Sequence, residues 1–241
     1  MRRESVIVFA VLAIISLMIT GCGKKAGPRK THPAKQQETV KSEVVSKSAG
    51  DEETAPEKTP ALSDKPITEE KVLFSFEQDV GDWEIPCWAM DKDDHVAKSI
   101  DVSKDVASEG ECSMKIDCDF PGDAWTAAVI ELEQFLDFTP YREIVVDIYV
   151  PKDTPLGLRS KIILTVGDDW MFTEMARTVP LVPGEWVEVI GNIEPGSYDW
   201  KRTVPDESFR ADIRKIVVRI ESNRRPIYKG PVYIDNVRIR K

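Results

Sequence analysis

The sequence predicts an all-β protein that folds as a two-sheet β-sandwich of jelly-roll type. In the C-terminal part of this 241-residue chain, eight segments alternate or run apolar over the length of a strand. Pro-Gly turns at 121–122, 183–184 and 195–196 help to separate them, and no segment keeps a helical apolar period for long. So many strands in one domain favour two packed sheets. The predicted strands are residues 72–77, 112–118, 126–132, 143–150, 161–166, 186–193, 213–222 and 232–239.

The N-terminus has the features of a secretion signal. Two arginines precede an apolar run over residues 6–20, which is shorter than the roughly 20 residues that a membrane-spanning helix needs. The letters ITGC that end at Cys22 resemble a bacterial lipobox, in which the cysteine thiol is diacylated and becomes the mature N-terminus. We therefore predict a lipoprotein signal peptide over residues 1–21, a lipid anchor at Cys22 and a location in the bacterial cell envelope. The alternative is an ordinary signal peptide with an incidental cysteine.

Residues 22–70 are predicted to form a disordered linker behind the anchor. From residue 23 onward this segment has five prolines and no aromatic residue, so it cannot bury enough apolar surface to fold. Its nine basic and nine acidic side chains balance each other. A flexible chain of this length spans about 40 Å on average, which is enough to hold a domain away from a membrane.

Residues 71–241 are predicted to form one folded domain. They contain all six tryptophans of the chain, and their 32 acidic residues outnumber 22 basic ones. This excess of negative charge argues against a nucleic-acid partner and against direct adhesion to an anionic membrane. We therefore expect contact with the membrane only through the acylated N-terminus.

Alternation along four of the strands predicts which side chains share a face, because residues two apart point to the same side of a sheet. The four strands lie at 126–132, 143–150, 161–166 and 213–222, and their inward positions are apolar. If these strands share one sheet, its outer face carries two aromatic and four charged side chains. These residues are Trp125, Glu131, Asp147, Tyr149, Lys161 and Arg219.

An aromatic ring beside planar hydrogen-bonding groups is typical of a sugar site. The apolar face of a sugar stacks on such a ring while its hydroxyls bridge charged groups. We therefore predict that Trp125 and Tyr149 stack on a glycan, and that the four charged residues bind its hydroxyls. Two loop tryptophans, Trp88 and Trp170, are further candidate contacts. The alternative is a solvated face with one chance tryptophan.

Five sequence motifs of the folded part, taken in their order along the chain, support the interpretation as a sugar-binding protein. Together they resemble the galactose-binding-like jelly-roll modules that bind carbohydrate and accompany glycoside hydrolases. The resemblance covers the whole folded part and implies a non-catalytic module that binds a poly- or oligosaccharide. It also implies that Trp83 and Trp186 belong to the core, whereas Trp200 stays unassigned. The motifs are FSFEQDVGDW (74–83), SEGECSMKI (108–116), LDFTPYREIVVDIYVPKD (136–153), LVPGEWVEV (181–189) and GPVYIDNVRI (230–239).

The resemblance also implies a structural calcium ion. In many such modules this ion ties the first strand to the last through two acids and the backbone carbonyls of a loop. The matching positions here are Glu77, Asp235 and the loop from Ser108 to Gly110. A hard cation prefers such oxygen ligands, and two acids near an apolar sheet edge need neutralising. Asp79 or Asp105 is a further candidate ligand, and the alternative is a solvent-facing acidic pair without metal.

The cysteines of the folded part give little information beyond their spacing. Cys112 and Cys118 fall on one face of one predicted strand, about 20 Å apart, which is too far for a disulfide. Cys87 is left to pair with one of them, so at least one thiol is predicted to stay free and buried.

Catalysis has weak support in the sequence. Glu131 and Glu133 share a face about 7 Å apart, within the range of an inverting glycosidase pair, so a glycoside hydrolase is one alternative. Acids two apart on an outward strand face are common, however, and His95 has no evident nucleophilic partner. We therefore predict no enzyme activity. A further alternative is a scaffold that binds another protein of the cell envelope, which an exposed apolar patch would favour.

Overall fold

The computed structural model describes residues 66–241, and this part of the chain forms two antiparallel β-sheets. The signal peptide, Cys22 and most of the predicted linker lie outside the described residues. In chain order the elements are β1 (Glu70–Phe74), α1 (Cys87–Met90), β2 (Ala97–Ser103), β3 (Ser113–Phe120), β4 (Trp125–Leu136), β5 (Glu143–Tyr149), β6 (Arg159–Val166), β7 (Met171–Glu174), β8 (Val179–Pro180), β9 (Trp186–Asn192), α2 (Glu207–Ala211), β10 (Ile213–Asn223) and β11 (Tyr228–Arg240).

The two sheets pack face to face, which confirms the predicted two-sheet β-sandwich. The six-stranded sheet has the order β2-β3-β11-β5-β9, with β1 paired to β11. The five-stranded sheet has the order β4-β10-β6-β7, with β8 paired to β6. The pattern does not predict β2, because its letters AKSIDVS are mostly polar and exposed, and β7 and β8 are too short to show a period.

The core lies between the sheets and is built from the inward positions that alternation predicts. Ile130, Ile148, Ile162 and Ile220 are each fully buried there, and they come from four different strands. All four belong to the core cluster between the sheets, which confirms the assignment of faces along β4, β5, β6 and β10. Burial alone does not distinguish the faces, since Val129, Ile163 and Val217 are buried on the outward side.

The tryptophans divide between the core and the surface. Trp83 is buried against Phe74 and Phe76, as predicted. Trp200 is also buried, and its indole donates a hydrogen bond of 2.7 Å to the carbonyl of Asn192. The prediction that Trp186 belongs to the core is wrong. Trp186 is half-buried on the outer face of the six-stranded sheet, with its ring centroid 5.4 Å from that of Tyr149.

Contacts of the folded part include residues just before position 71. Strand β1 starts at Glu70, and the amide of Thr68 donates to the carbonyl of Lys241 at 2.7 Å. Cys87, Cys112 and Cys118 are all free thiols, and the last two are buried, as the spacing predicts for at least one of them. No helix within residues 66–241 combines the length and the apolar character needed to cross a membrane.

Candidate functional site

The candidate site is a groove of roughly 440 Å³ on the outer face of the five-stranded sheet. Its floor is apolar because the outward positions at the centre of three strands carry Ala127, Val129, Ile163 and Val217, which form a small cluster of their own with Ala89. The cluster is separate from the main core between the sheets. The groove has the size and the apolar lining that ligand-binding clefts usually show.

One wall of the groove is the segment around α1, which runs beside the edge strand β4. Glu84 and Glu131 exchange two backbone hydrogen bonds of 2.9 Å. Further along, the amide of Ala127 donates to the carbonyl of Asp94, also at 2.9 Å. These bonds place Trp88 of α1 over the floor, where its indole donates to Oε2 of Glu131 at 3.2 Å.

A charged cluster lies beside the apolar floor, near the first residues of β10. The ammonium of Lys215 lies 3.0 Å from Oε1 of Glu131 and 2.9 Å from Oε2 of Glu133. Burial alone would lower the pKa of Lys215, but the hydrogen bonds to Glu133 and Glu131 outweigh it and raise the pKa above the usual value. Lys215 therefore stays charged and holds two carboxylates at the floor.

Arg219 connects the floor to one end of the groove. Its guanidinium lies 5.6 Å from the ring centroid of Trp125, a cation–π distance. Two carboxylates hold it there, because Glu174 accepts from Nη2 at 2.7 Å and Glu221 from Nε at 3.0 Å. Trp125 itself is 39% exposed, so its ring remains open to a ligand.

The structure brings together five of the eight predicted glycan contacts. Trp88, Trp125, Glu131, Trp170 and Arg219 all line the groove. These residues come from β4, β10, α1 and the loop after β6, so the fold collects them from distant parts of the chain. Their contact with a glycan stays a prediction.

Lys161 faces the same side of the sheet but lies outside the groove. It is 3% exposed, and its ammonium donates to the carbonyl of Met175 at 3.0 Å. Burial lowers its pKa, although the nearby Glu174 carboxylate opposes this effect. Lys161 is therefore covered by its neighbours and does not reach a ligand in this arrangement.

The placement of Asp147 and Tyr149 beside Trp125 is wrong. Alternation gives their face correctly, but β5 lies in the six-stranded sheet, between β11 and β9. The two residues therefore face the opposite side of the sandwich. Tyr149 contacts the rings of Trp186 and Tyr233 there.

Asp147 takes part in a buried ion-pair network instead. It is 5% exposed, and the guanidinium of Arg238 donates to its Oδ1 at 2.9 Å. Ser108 and Asn236 donate to its other oxygen, at 2.6 and 3.2 Å. Arg238 also contacts Glu188 and Glu70, so the network ties β5 to β11, β9 and β1.

The predicted calcium ligands accept hydrogen bonds from the backbone. Asp235 accepts from the amides of Ser108, Glu109 and Asn236 at 2.7–3.2 Å, and Glu77 accepts from the two amides that follow Gly110. Burial raises the pKa of Asp235 despite these bonds. Residues 66–241 contain no group of three or more acidic, histidine or cysteine side chains that could hold a metal ion. Backbone N–H groups already donate to the carboxylates of Asp235 and Glu77, so this arrangement does not fit a calcium ion. Calcium binding stays a prediction.

Several groove residues escape the sequence analysis. Lys215 lies within the predicted strand 213–222 and follows the same alternation as Val217 and Arg219, so naming every outward position of that strand would have found it. Phe172 lies two residues after Trp170 in β7, a strand too short to predict. Lys92, Asp94 and His95 come from an irregular segment with no periodic signal.

Two solved structures to which the chain is similar are carbohydrate-binding modules. The chain is similar to CBM27-1 of Caldicellulosiruptor saccharolyticus in complex with mannohexaose, with 22% identity, a TM-score of 0.52 and coverage of 71% of this chain and 97% of that one. It is also similar to CBM28, a module specific for non-crystalline cellulose, with 16% identity, a TM-score of 0.52 and coverage of 69% and 92%. No protein-family model matches the chain, and no curated protein matches it. At these identities the similarity shows the fold, and it confirms the predicted β-sandwich.

Proposed function

We propose that this protein is a non-catalytic glycan-binding protein of the bacterial cell envelope, held at a membrane by an acylated Cys22. The domain binds a poly- or oligosaccharide in the groove on its five-stranded sheet. Trp125, Trp88 and Trp170 stack on sugar rings, while Glu131 and Arg219 hydrogen-bond to hydroxyls.

The observation that carries this proposal is the combination of three exposed tryptophans with ionised groups around one groove. The tryptophans are 39–48% exposed, which is costly for large apolar rings unless a ligand covers them. The charged groups beside them are held by partners, so they present fixed donors and acceptors. The two similar modules named above bind mannohexaose and non-crystalline cellulose, and this supports a glycan as the ligand.

The contacts of Glu131 favour binding over hydrolysis. A glycosidase needs one carboxyl group that carries a proton to donate to the leaving oxygen. Here the Lys215 ammonium lies 3.0 Å from Glu131 and 2.9 Å from Glu133. Both carboxyl groups are held by the same cation, so the geometry presents neither of them to a leaving oxygen.

The test is depletion of the full-length protein from solution by a panel of insoluble and gel-embedded polysaccharides. The protein is kept in a detergent without a sugar head group, because glucoside or maltoside detergents would compete for the groove. The proposal is supported if one neutral polysaccharide retains the wild-type protein and Trp125→Ala abolishes this retention. Tyr198→Ala serves as the control, since Tyr198 is 68% exposed and does not line the groove.

Two results would move the assignment elsewhere. Absence of retention across the panel by folded protein would favour a protein-binding scaffold. If the wild-type protein releases reducing sugar and Glu131→Gln abolishes this release, a hydrolase is favoured. Lipid anchoring is tested in a separate experiment. Cys22→Ala is expected to abolish incorporation of labelled palmitate.

A further inference from the structure

The outer surface carries a second aromatic cluster that the sequence analysis did not single out. Phe135, at the end of β4, is 64% exposed, and Trp170, in the loop after β6, is 41% exposed. Their ring centroids lie 6.2 Å apart in an edge-to-face arrangement. The guanidinium of Arg214 lies 5.2 Å from each of these two centroids. We call these three residues the Arg214 cluster.

The cluster lies at the end of the groove away from Trp125. Arg214 lies next to Lys215, and Lys215 and Arg219 are four residues apart on β10, which corresponds to about 14 Å along the strand. Arg219 contacts Trp125, and Arg214 contacts Trp170. Each end of the groove therefore has an indole paired with a guanidinium, and the apolar floor lies between them.

Two backbone irregularities build the Arg214 cluster. The register of β10 shifts between Ile213 and Lys215 against both neighbouring strands, and Arg214 has no ladder partner. Regular alternation would put Ile213 and Lys215 on the same face, whereas Ile213 is buried in the core and Lys215 lines the groove. Trp170 also has a left-handed backbone, with φ of 54°. Bulges and strained residues of this kind are frequent at functional sites.

Within residues 66–241, three of the four cations in or beside the groove have carboxylate partners, and the fourth, Lys92, lies 4.6 Å from the ring centroid of Trp88. Arg219 pairs with Glu174 and Glu221, and Lys215 pairs with Glu131 and Glu133. Arg214 pairs with Asp212 at 2.8 Å and with Asp168. A ligand carboxylate would have to compete with a carboxylate of the protein at each of these three positions. An uncharged ligand meets no such competition.

We infer that the Arg214 cluster is a second stacking subsite, and that the ligand is an uncharged glycan chain long enough to contact both ends of the groove. Phe135 and Trp170 bind one sugar, Trp125 binds another, and the floor holds the units between them. Arg214 is a positioning residue that holds both rings of the second subsite. This inference rests on the proposed function.

The experiment is calorimetric titration of the full-length protein with mannohexaose and mannobiose, and with cellohexaose and cellobiose. The hexasaccharide that binds is expected to do so at least tenfold more tightly than its disaccharide. Phe135→Ala is expected to weaken hexasaccharide binding by about threefold to tenfold and to leave disaccharide binding at Trp125 unchanged. Arg214→Lys, which keeps the charge but loses the planar stack, is expected to reproduce the effect of Phe135→Ala.

The outcomes separate this inference from the proposed function. If Trp125→Ala weakens hexasaccharide binding while Phe135→Ala has no more effect than Tyr198→Ala, the second subsite is refuted and the proposed function stands. If neither hexasaccharide binds the folded wild-type protein, the second subsite is refuted, and the polysaccharide panel decides the proposed function. Hexagalacturonate binding as tightly as the neutral hexasaccharide would refute the assignment of an uncharged ligand.

Discussion

Replacing Arg238 by alanine is expected to destabilise the domain strongly without affecting the groove. The Arg238 side chain is 4% exposed and that of Asp147 is 7% exposed, so their ion pair is shielded from solvent. Removing the guanidinium leaves the Asp147 carboxylate buried with only Ser108 and Asn236 as donors. Breaking a buried pair in this way costs about 3–5 kcal/mol. For a domain of this size the melting temperature should fall by roughly 6–20 °C.

Arg240→Ala provides a matched control for this prediction. Arg240 contacts the same two acids as Arg238, Glu188 and Glu70, but those acids are 40–44% exposed and stay solvated when the arginine is lost. An exposed pair of this kind contributes up to about 1 kcal/mol. Circular dichroism during heating, together with urea unfolding, measures both variants.

The result that would refute this reasoning is equal stability of the two variants. It would mean that Asp147 gains water once Arg238 is removed and that the network is not effectively buried. Glycan affinity of the folded Arg238→Ala variant is expected to match the wild type, because the network lies on the other sheet. A loss of affinity without a loss of stability would return Asp147 to the binding site.

Three further predictions concern the loop, the groove and the metal. Gly110→Ala should destabilise the fold by more than Gly196→Ala in the same urea titration. Both glycines have a positive φ, +70° and +88°, so alanine costs about 1–2 kcal/mol of backbone strain at either position. Only at Gly110 would the new Cβ also lie 2.1 Å from Oε1 of Glu77, whereas Gly196 has no atom within 4 Å. Burial alone would raise the pKa of Glu174, but the hydrogen bond from Lys201 and the charge of Arg219 outweigh it and lower the pKa. Because its pKa is lowered, ionised Glu174 stabilises the fold at pH values above the usual pKa of 4.5, and this stabilisation is lost as the pH falls. The difference in free energy of unfolding between wild type and Glu174→Gln should therefore narrow in acid. A difference that does not change with pH would contradict this prediction. Removing calcium with a chelator should leave the melting temperature unchanged, since backbone amides already satisfy Glu77 and Asp235, whereas a rise of several degrees with added calcium would support the ion.

The face of a strand could be predicted from the sequence, but its sheet could not. Alternation depends on the pleat of the single strand, so it gives the inward side of β4, β5, β6 and β10 correctly. Which strands are neighbours depends on pairing between distant segments, and the apolar pattern does not record it. Asp147 therefore points outward as predicted, but from the opposite sheet to Trp125.

The environment of a single tryptophan is equally hard to predict from the sequence. Trp88, Trp170 and Trp186 all stand near turn residues, and nothing in their neighbours distinguishes a ligand contact from a packing position. Trp186 differs from Trp83 because its strand presents it on the outer face, beside Tyr149. The Arg214 cluster depends on a bulge, which breaks the period that sequence analysis relies on.

The wall that carries Trp88 has a consequence for the entropy of binding. Backbone hydrogen bonds join it to β4 at Glu131 and again at Ala127, so the wall and the floor move as one piece of sheet. A ligand that enters such a groove orders few backbone torsions, and less of the contact energy is lost to restricting the protein. We therefore expect a small number of contacts to suffice for specific binding. The wall also covers the edge of β4, so we expect this edge to be protected from pairing with other chains.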